Sequence, residues 1–483
     1  MSPRCKLACL LPLAAAGAAH AAALHDAPLR RQLPVPTSTL MNFTNVADPF
    51  VFDVVDLSGD AEVIYVANIT VDGQSYEVQL DTGSADLWLD TQGITLSPAA
   101  HDTNVFVTVQ YGDMTVASGD VFLAPTQFGN FSIPSQAFIN APGSNATSDN
   151  DLGLLGLSTK NISMIYTTLA ANTSFNGLPV LYNVFASNLN VSNYFTFLLA
   201  RSNLGITDGG IFSVGDVDPH WSSVLNQTRL PVVQALEQWV VLMDGVVVDG
   251  KHYTGHGVLA AAKGAADDVK DKTLALLDSG TSLGVMPTYY WDAVYRDVPG
   301  LKALDAKAGL YQLPCDTRRN VSMIFNGTEY PLNPLDLSRV NNLGSFAGGT
   351  NETICVNTFQ PGDTTAAAQG LDFILGDSFM RNVYALFHFG NWTNATAGAP
   401  PPYMQLLATT NQSAAWETFD DANAMRVQQW DQLRGQFNLT NATNASSVSA
   451  TARRRSVRRV SLDFSEEYVA NAASRTHEYW SIW

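Results

Sequence analysis

The chain is poor in several things, and each scarcity excludes something. Only 4 of 483 residues are cysteine. No Cys/His cluster has metal-ligand spacing, so a zinc-built site is set aside and neither metal nor cofactor is expected. Charged side chains make up 14% of the sequence, with 44 acids against 26 bases and a formal charge of −18. That balance offers no basic stripe for a phosphate backbone and argues against nucleic acid. It also suits an acidic medium, where protonated carboxylates repel one another less. Beyond the N-terminus no stretch reaches the roughly 18 to 20 apolar residues of a membrane span. The polar C-terminus excludes a glycolipid-anchor signal.

The N-terminus itself reads as a secretory signal ending at Ala23. Arg4 and Lys6 give a basic start, Leu7 to Ala19 an apolar stretch, and Ala21-Ala22-Ala23 a cleavage site. A membrane anchor is the competing reading, but the run is short and alanine-rich. Cys5 and Cys9 leave with this segment, so Cys315 and Cys355 are expected to pair in an oxidising compartment. Asn-x-Ser/Thr sequons are dense from Asn42 to Asn444, which favours a secreted, extracellular glycoprotein. Between Leu24 and Asp60 lie Arg30-Arg31, where processing is expected, and the apolar run Phe50 to Val55, which suits a strand.

One short pattern organises the rest. Leu80-Asp81-Thr82-Gly83-Ser84 follows the alternating run from Tyr76, and Leu277-Asp278-Ser279-Gly280-Thr281 follows the apolar run from Leu274. Two copies by chance have odds on the order of one in a thousand from average residue frequencies. In each, glycine permits a tight reversal and the hydroxyls can orient the carboxylate. Two such aspartates suggest a carboxylate dyad sharing one proton. Each turn also has an apolar-Gly partner downstream: Leu154-Leu155-Gly156 for the first, Ile374-Leu375-Gly376 for the second. The chain thus reads as an internal repeat whose halves meet with both aspartates in a shared cleft.

Elsewhere the pattern is mostly β with a few short helices. Val63 to Val71, Asp72-Gly73 and Tyr76 to Leu80 spell a hairpin that delivers Asp81 at a strand end. Trp239 to Val248 and Lys251 to Val258 flank a second hairpin turn, Asp249-Gly250, and Lys263 to Lys272 reads as an exposed loop. Helical windows fall at Asn161 to Ala171, at Pro287 to Val294 with Pro287 at its start, and as a turn at Asn333 to Val340. The expected organisation is one lobe over 61–217, a second over 218–410, and a glycosylated, disordered tail over 411–483. Within that tail Trp416 to Phe437 has a helical reading, and the cluster Arg453 to Arg459 reads as a solvated charge run.

In these residues the chain resembles the pepsin-like aspartic peptidases over roughly Ala61 to Leu407. The resemblance rests on Asp81-Thr82-Gly83-Ser84 with Leu87-Trp88 behind it, Tyr111-Gly112-Asp113, Leu154-Leu155-Gly156, Asp278-Ser279-Gly280-Thr281, Ile374-Leu375-Gly376, and Cys315 with Cys355 at the position of the family's second-lobe disulfide. It implies a two-lobed, mostly β fold with the active site in the inter-lobe cleft. It implies a monomeric endopeptidase acting on protein or peptide substrates between mostly hydrophobic residues. Asp81 and Asp278 would be catalytic, and Thr82, Gly83, Ser84, Ser279, Gly280 and Thr281 would support them. Tyr111, Gly112 and Asp113 would form a flap, with Asp113 placed to accept a basic side chain beside the scissile bond. The chain departs from the family pattern where Met114-Thr115-Val116 follows the flap motif, and in the short stretch between Trp88 and Tyr111. Both point to altered subsites rather than an altered fold. A silent binding protein on the same fold is the rival reading, although both Asp turns are intact. A two-carboxylate glycosidase is a third, but it leaves the repeated turns unexplained.

Overall fold

The structure, a computed structural model, describes residues 65–112, 114–146, 152–201, 210–261, 269–342, 352–362, 370–393 and 398–445. The signal segment, Arg30-Arg31, Phe50 to Val55, Asp113, most of the loop from Lys263 and the arginine cluster from Arg453 lie outside these residues.

Local sequence chemistry sets the β framework. Strand Val66–Val71 runs into strand Gln74–Asp81 through Asp72-Gly73, with φ of 53° and 76°. Left-handed values at both positions make a tight turn that matches strand twist, and Asp-Gly tolerates them. Asp249-Gly250 does the same between Gly245–Val248 and Lys251–Tyr253. The strand expected to run on to Val258 stops at Tyr253, and Val258–Ala261 is a helical turn.

The repeat is visible in the strand order. Strand Gly153–Gly156 lies parallel to Gln74–Asp81 and antiparallel to Leu87–Leu89, so it sits between the strands on either side of the first Asp turn. In the second half Phe373–Leu375 lies parallel to Thr273–Leu277 and antiparallel to Gly284–Met286, with Val285 opposite Ile374. The first arrangement belongs to a seven-stranded sheet and the second to a five-stranded one. These are the cores of two lobes.

A further five-stranded sheet joins them. It sets Tyr194–Leu199 and Gly210–Val214 beside Val383–His388 and Tyr403–Ala408, strands that are far apart in sequence. Its inner face is aromatic: Phe195 stacks on Phe387 with centroids 4.7 Å apart, and Trp239 meets both rings edge-on. Such contacts add about 0.5–1.5 kcal/mol each beyond burial, so the lobes share one apolar floor.

The helices differ in detail from the sequence reading. Helix Met164–Asn172 begins later than Asn161 because Ser163 caps it, while Lys160–Ile162 forms its own tight turn under Thr159. Pro287 is the cap of Thr288–Trp291 rather than its first residue, and Asn333 caps Pro334–Leu337. Helix Val180–Ser187 is additional. Its residues from Val180 to Phe185 are all buried, so no polar stripe marks its period.

The tail needs correction. Residues Gln412–Glu417 and Phe419–Ala445 are helices, so a disordered segment does not begin at Asn411. Phe419 and Trp430 are buried, and Trp430 packs on Val340 and Cys355. Arg426 is buried too; it donates to Leu335 O at 2.9 Å, Ser338 O at 2.7 Å and Ser338 Oγ at 2.9 Å. Cys315 and Cys355 are bonded, with Cα atoms 5.0 Å apart, directly beneath this helix. No helix among the described residues is long and apolar enough to cross a membrane.

Candidate active site

Both Asp turns meet at the lobe interface, and their backbones are laced together. Thr82 N donates to Ser279 Oγ at 3.1 Å, and Ser279 N donates to Thr82 Oγ1 at 2.9 Å. Each hydroxyl then reaches into the other lobe: Thr82 Oγ1 donates to Leu277 O at 2.8 Å, and Ser279 Oγ to Leu80 O at 2.7 Å. All four groups are buried, where an unmet polar atom would cost about 1–3 kcal/mol. The lattice therefore fixes one turn against the other. The sequence reading placed Thr82 and Ser279 near the site but not this exchange, because a hydroxyl beside a carboxylate carries no mark of its partner.

The carboxylates are oriented in matching ways. Asp81 Oδ1 accepts from Gly83 N at 2.7 Å, and its Oδ2 from the Ser84 hydroxyl. Asp278 Oδ1 accepts from Gly280 N at 2.9 Å, and its Oδ2 from Thr281 Oγ1 at 2.6 Å. Ser84 and Thr281 thus each hold the outer oxygen of their own turn's carboxyl. The glycines are required by space. A Cβ on Gly83 would stand 2.6 Å from Asp278 Oδ1, and one on Gly280 would press on Asp81 Oδ1. Each turn leaves just enough room for the other turn's carboxyl.

Burial is the largest influence on Asp81 and raises its pKa well above the usual carboxylate range. The charge of Asp278 and a hydrogen bond between the two carboxyls raise it further, against smaller opposing effects from Ser84 and Gly83. Both causes disfavour the charged form of Asp81.

Tyr111 stands over the first turn. Strands His101–Gln110 and Val116–Phe128 form a hairpin, closed by Tyr111 N to Thr115 O at 3.0 Å and Met114 N to Tyr111 O at 3.0 Å. Met114 takes a left-handed φ of 71° and is exposed, and Gly112 lies in the same turn, so the altered tip is a tight one. The Tyr111 hydroxyl accepts from Trp88 Nε1 at 2.6 Å. Burial, then the Asp81 charge, push its phenol well up, so it stays a neutral donor. Trp88 is fully buried, so this hydrogen bond ties the tyrosine to the core of the first lobe. Asp86, not singled out in the sequence, caps helix Met164–Asn172 through Ser163 Oγ at 2.6 Å and the amides of Met164 and Ile165. This fixes the segment leading away from the first turn.

Residues 64–399 match the family model described as eukaryotic aspartyl protease. An aspartic protease of Phaffia rhodozyma is 25% identical over 349 residues, which cover 68% of this chain and 75% of the relative. The major aspartyl peptidase 1 of Cryptococcus neoformans var. grubii is 25% identical over 359 residues, covering 70% of this chain and 68% of the relative. Among solved structures, the aspartic proteinase from Irpex lacteus superposes with a TM-score of 0.56 at 18% identity, over 76% of this chain and 98% of that one. The two-lobed, mostly β architecture is therefore the pepsin-like one.

Proposed function

The chain belongs to the eukaryotic aspartyl protease family and is an aspartic endopeptidase, and on that premise we propose that Asp81 and Asp278 hydrolyse peptide bonds in acid by activating a water held between them. The ionised carboxylate takes a proton from the water, whose oxygen bonds to the peptide carbonyl carbon. The protonated carboxyl donates to the developing oxyanion. When the tetrahedral adduct collapses, the C–N bond breaks and the amine leaves with a proton from the dyad. Tyr111, held by Trp88, closes the cleft over the peptide and limits water. Asp113, two residues after Tyr111 in sequence, would accept a basic side chain beside the cut.

The observation that carries this reading is mutual fit: each turn's glycine leaves room only for the other turn's carboxyl. The wider proposal is a monomer secreted after loss of residues 1–23 and cleavage after Arg31. Its lobes would lie near 61–217 and 218–410, with sugar on the exposed sequons. The test is digestion of a denatured protein from about pH 2.5 to 7, with and without pepstatin, a transition-state mimic for this chemistry. Acid-dependent cleavage abolished by pepstatin and by Asp278→Asn supports the dyad. Undiminished cleavage by folded Asp278→Asn overturns it.

A further inference from the structure

The strand leading to the first aspartate carries an anomaly. Val78 and Leu80 are fully buried, yet Gln79 between them is a carboxamide and is also buried, 8% exposed. Residues two apart on a strand share a face, so Gln79 lies on the Asp81 side. Its Nε2 crosses the lobe boundary and donates to Gly280 O, the glycine of the opposite turn, at 3.4 Å. At the equivalent place in the second lobe stands Leu276, which has no such group.

The second lobe supplies its amide from elsewhere. Gln238 Nε2 donates to Gly83 O, the glycine of the first turn, also at 3.4 Å. Gln238 is held between two anchors to the first lobe. Before it, Glu237 adopts a left-handed φ of 52° and accepts from Asn161 Nδ2 at 2.8 Å; after it, Trp239 Nε1 donates to Leu157 O at 3.1 Å. A non-glycine residue in that conformation is held there by its surroundings, and here three consecutive residues each touch the other lobe.

We propose that Gln79 and Gln238 are a matched pair of positioning residues, each tying its own lobe to the glycine carbonyl of the opposite turn, and that half-buried Gln238 also contacts bound peptide and favours substrates with a carboxamide or hydroxyl beside the scissile bond. The inference rests on Asp81 and Asp278 being the dyad. A carboxamide has two N–H donors and an acceptor, and each glutamine spends only one donor on its glycine. Gln238, half-buried at the same turn, keeps its second donor and its acceptor for a substrate while the first donor stays on Gly83 O. Gln79, buried on the Asp81 side of its strand, only positions.

The test uses Gln79→Met and Gln238→Met, which keep volume and remove the donor, and their combination. Steady-state kinetics are measured across the acid range on peptides with Leu or Phe, or else Gln or Ser, flanking one cleavable bond. Gln238→Met is expected to raise KM for the polar peptides roughly three- to tenfold, the usual worth of one hydrogen bond, with the apolar ones little changed. Gln79→Met is expected to lower kcat on all peptides with KM unchanged and to move the upper limb of the pH profile. The double variant should depart from the product of the single effects. Where a Met variant does not fold, the Asn variant shortens the reach and must show the same split. Folded variants with wild-type kcat, KM and preference overturn the pairing while leaving acid cleavage, and so the dyad, intact.

Discussion

The strand entering the first turn reads Val78-Gln79-Leu80-Asp81, and the one entering the second reads Ala275-Leu276-Leu277-Asp278. After the turns, the first lobe continues through Asp86 to Trp88, the second through Leu283 to Val285. What the halves share is what holds a carboxylate: a glycine amide, an outer hydroxyl, and a buried Thr or Ser laced to the other lobe. Where they differ, the residue faces something beyond the dyad. Trp88 meets Tyr111, Asp86 caps a helix, and Gln79 crosses to Gly280. Symmetry holds the two carboxyls, and its breaking ties the first turn to the tyrosine hairpin, a helix and the other lobe.

The sharpest way to challenge that equivalence is to fill the two glycine spaces. Gly83→Ala pushes on Asp278 and Gly280→Ala on Asp81, so each should cost on the order of a hundredfold or more in kcat, as a misplaced reacting group does. Single-turnover kinetics on folded protein would check this. A large loss in only one variant would break the equivalence. A smaller effect is expected where the lobes differ: Tyr111→Phe removes the acceptor for Trp88 Nε1 and should lower kcat/KM about tenfold. Trp88→Phe, which removes the donor, should approach the same value. If Tyr111→Phe retains wild-type kcat/KM, the flap hydroxyl has no part in the reaction.

The smallest effect is on stability, and its sign follows from Asp81. Its folded pKa lies above the ordinary value because of burial and then Asp278. Its stabilising contribution is present in acid and is lost as pH rises from the ordinary carboxylate range through the folded value. Asp278→Asn removes the neighbouring charge, so this variant and the parent should melt together in strong acid. Toward neutral pH the variant should melt roughly 2–4 °C higher, the shift expected for about 1 kcal/mol. Parallel melting curves at all pH values would show that the two carboxyls do not repel.

Much of this was legible in the sequence because it rests on backbone demands with few solutions. Asp72-Gly73 and Asp249-Gly250 announce hairpins since few other pairs accept two left-handed residues. The two Asp turns and their apolar-Gly partners announce the repeat. Helix Val180–Ser187 was hidden because burial all round leaves no period to read. The helix from Phe419 was only partly visible, since its docking depends on Trp430 and on Arg426, a charged residue that composition assigns to solvent. The cross-lobe reach of Gln79 and Gln238 was invisible for a related reason. A glutamine in a sequence does not say which carbonyl it will find.

The strand threaded between the two sides of each Asp turn has a consequence in time. Leu80 pairs with Leu155, and Leu276 with Ile374, so neither turn can be completed by the residues around it. As the chain is synthesised, Asp81 waits for Leu155 and Asp278 for Ile374. The sheet that joins the lobes waits for Tyr403–Ala408. A nascent or prematurely ended chain therefore carries both aspartates before their turns are built, and the paired turns exist only once synthesis has passed Ile374.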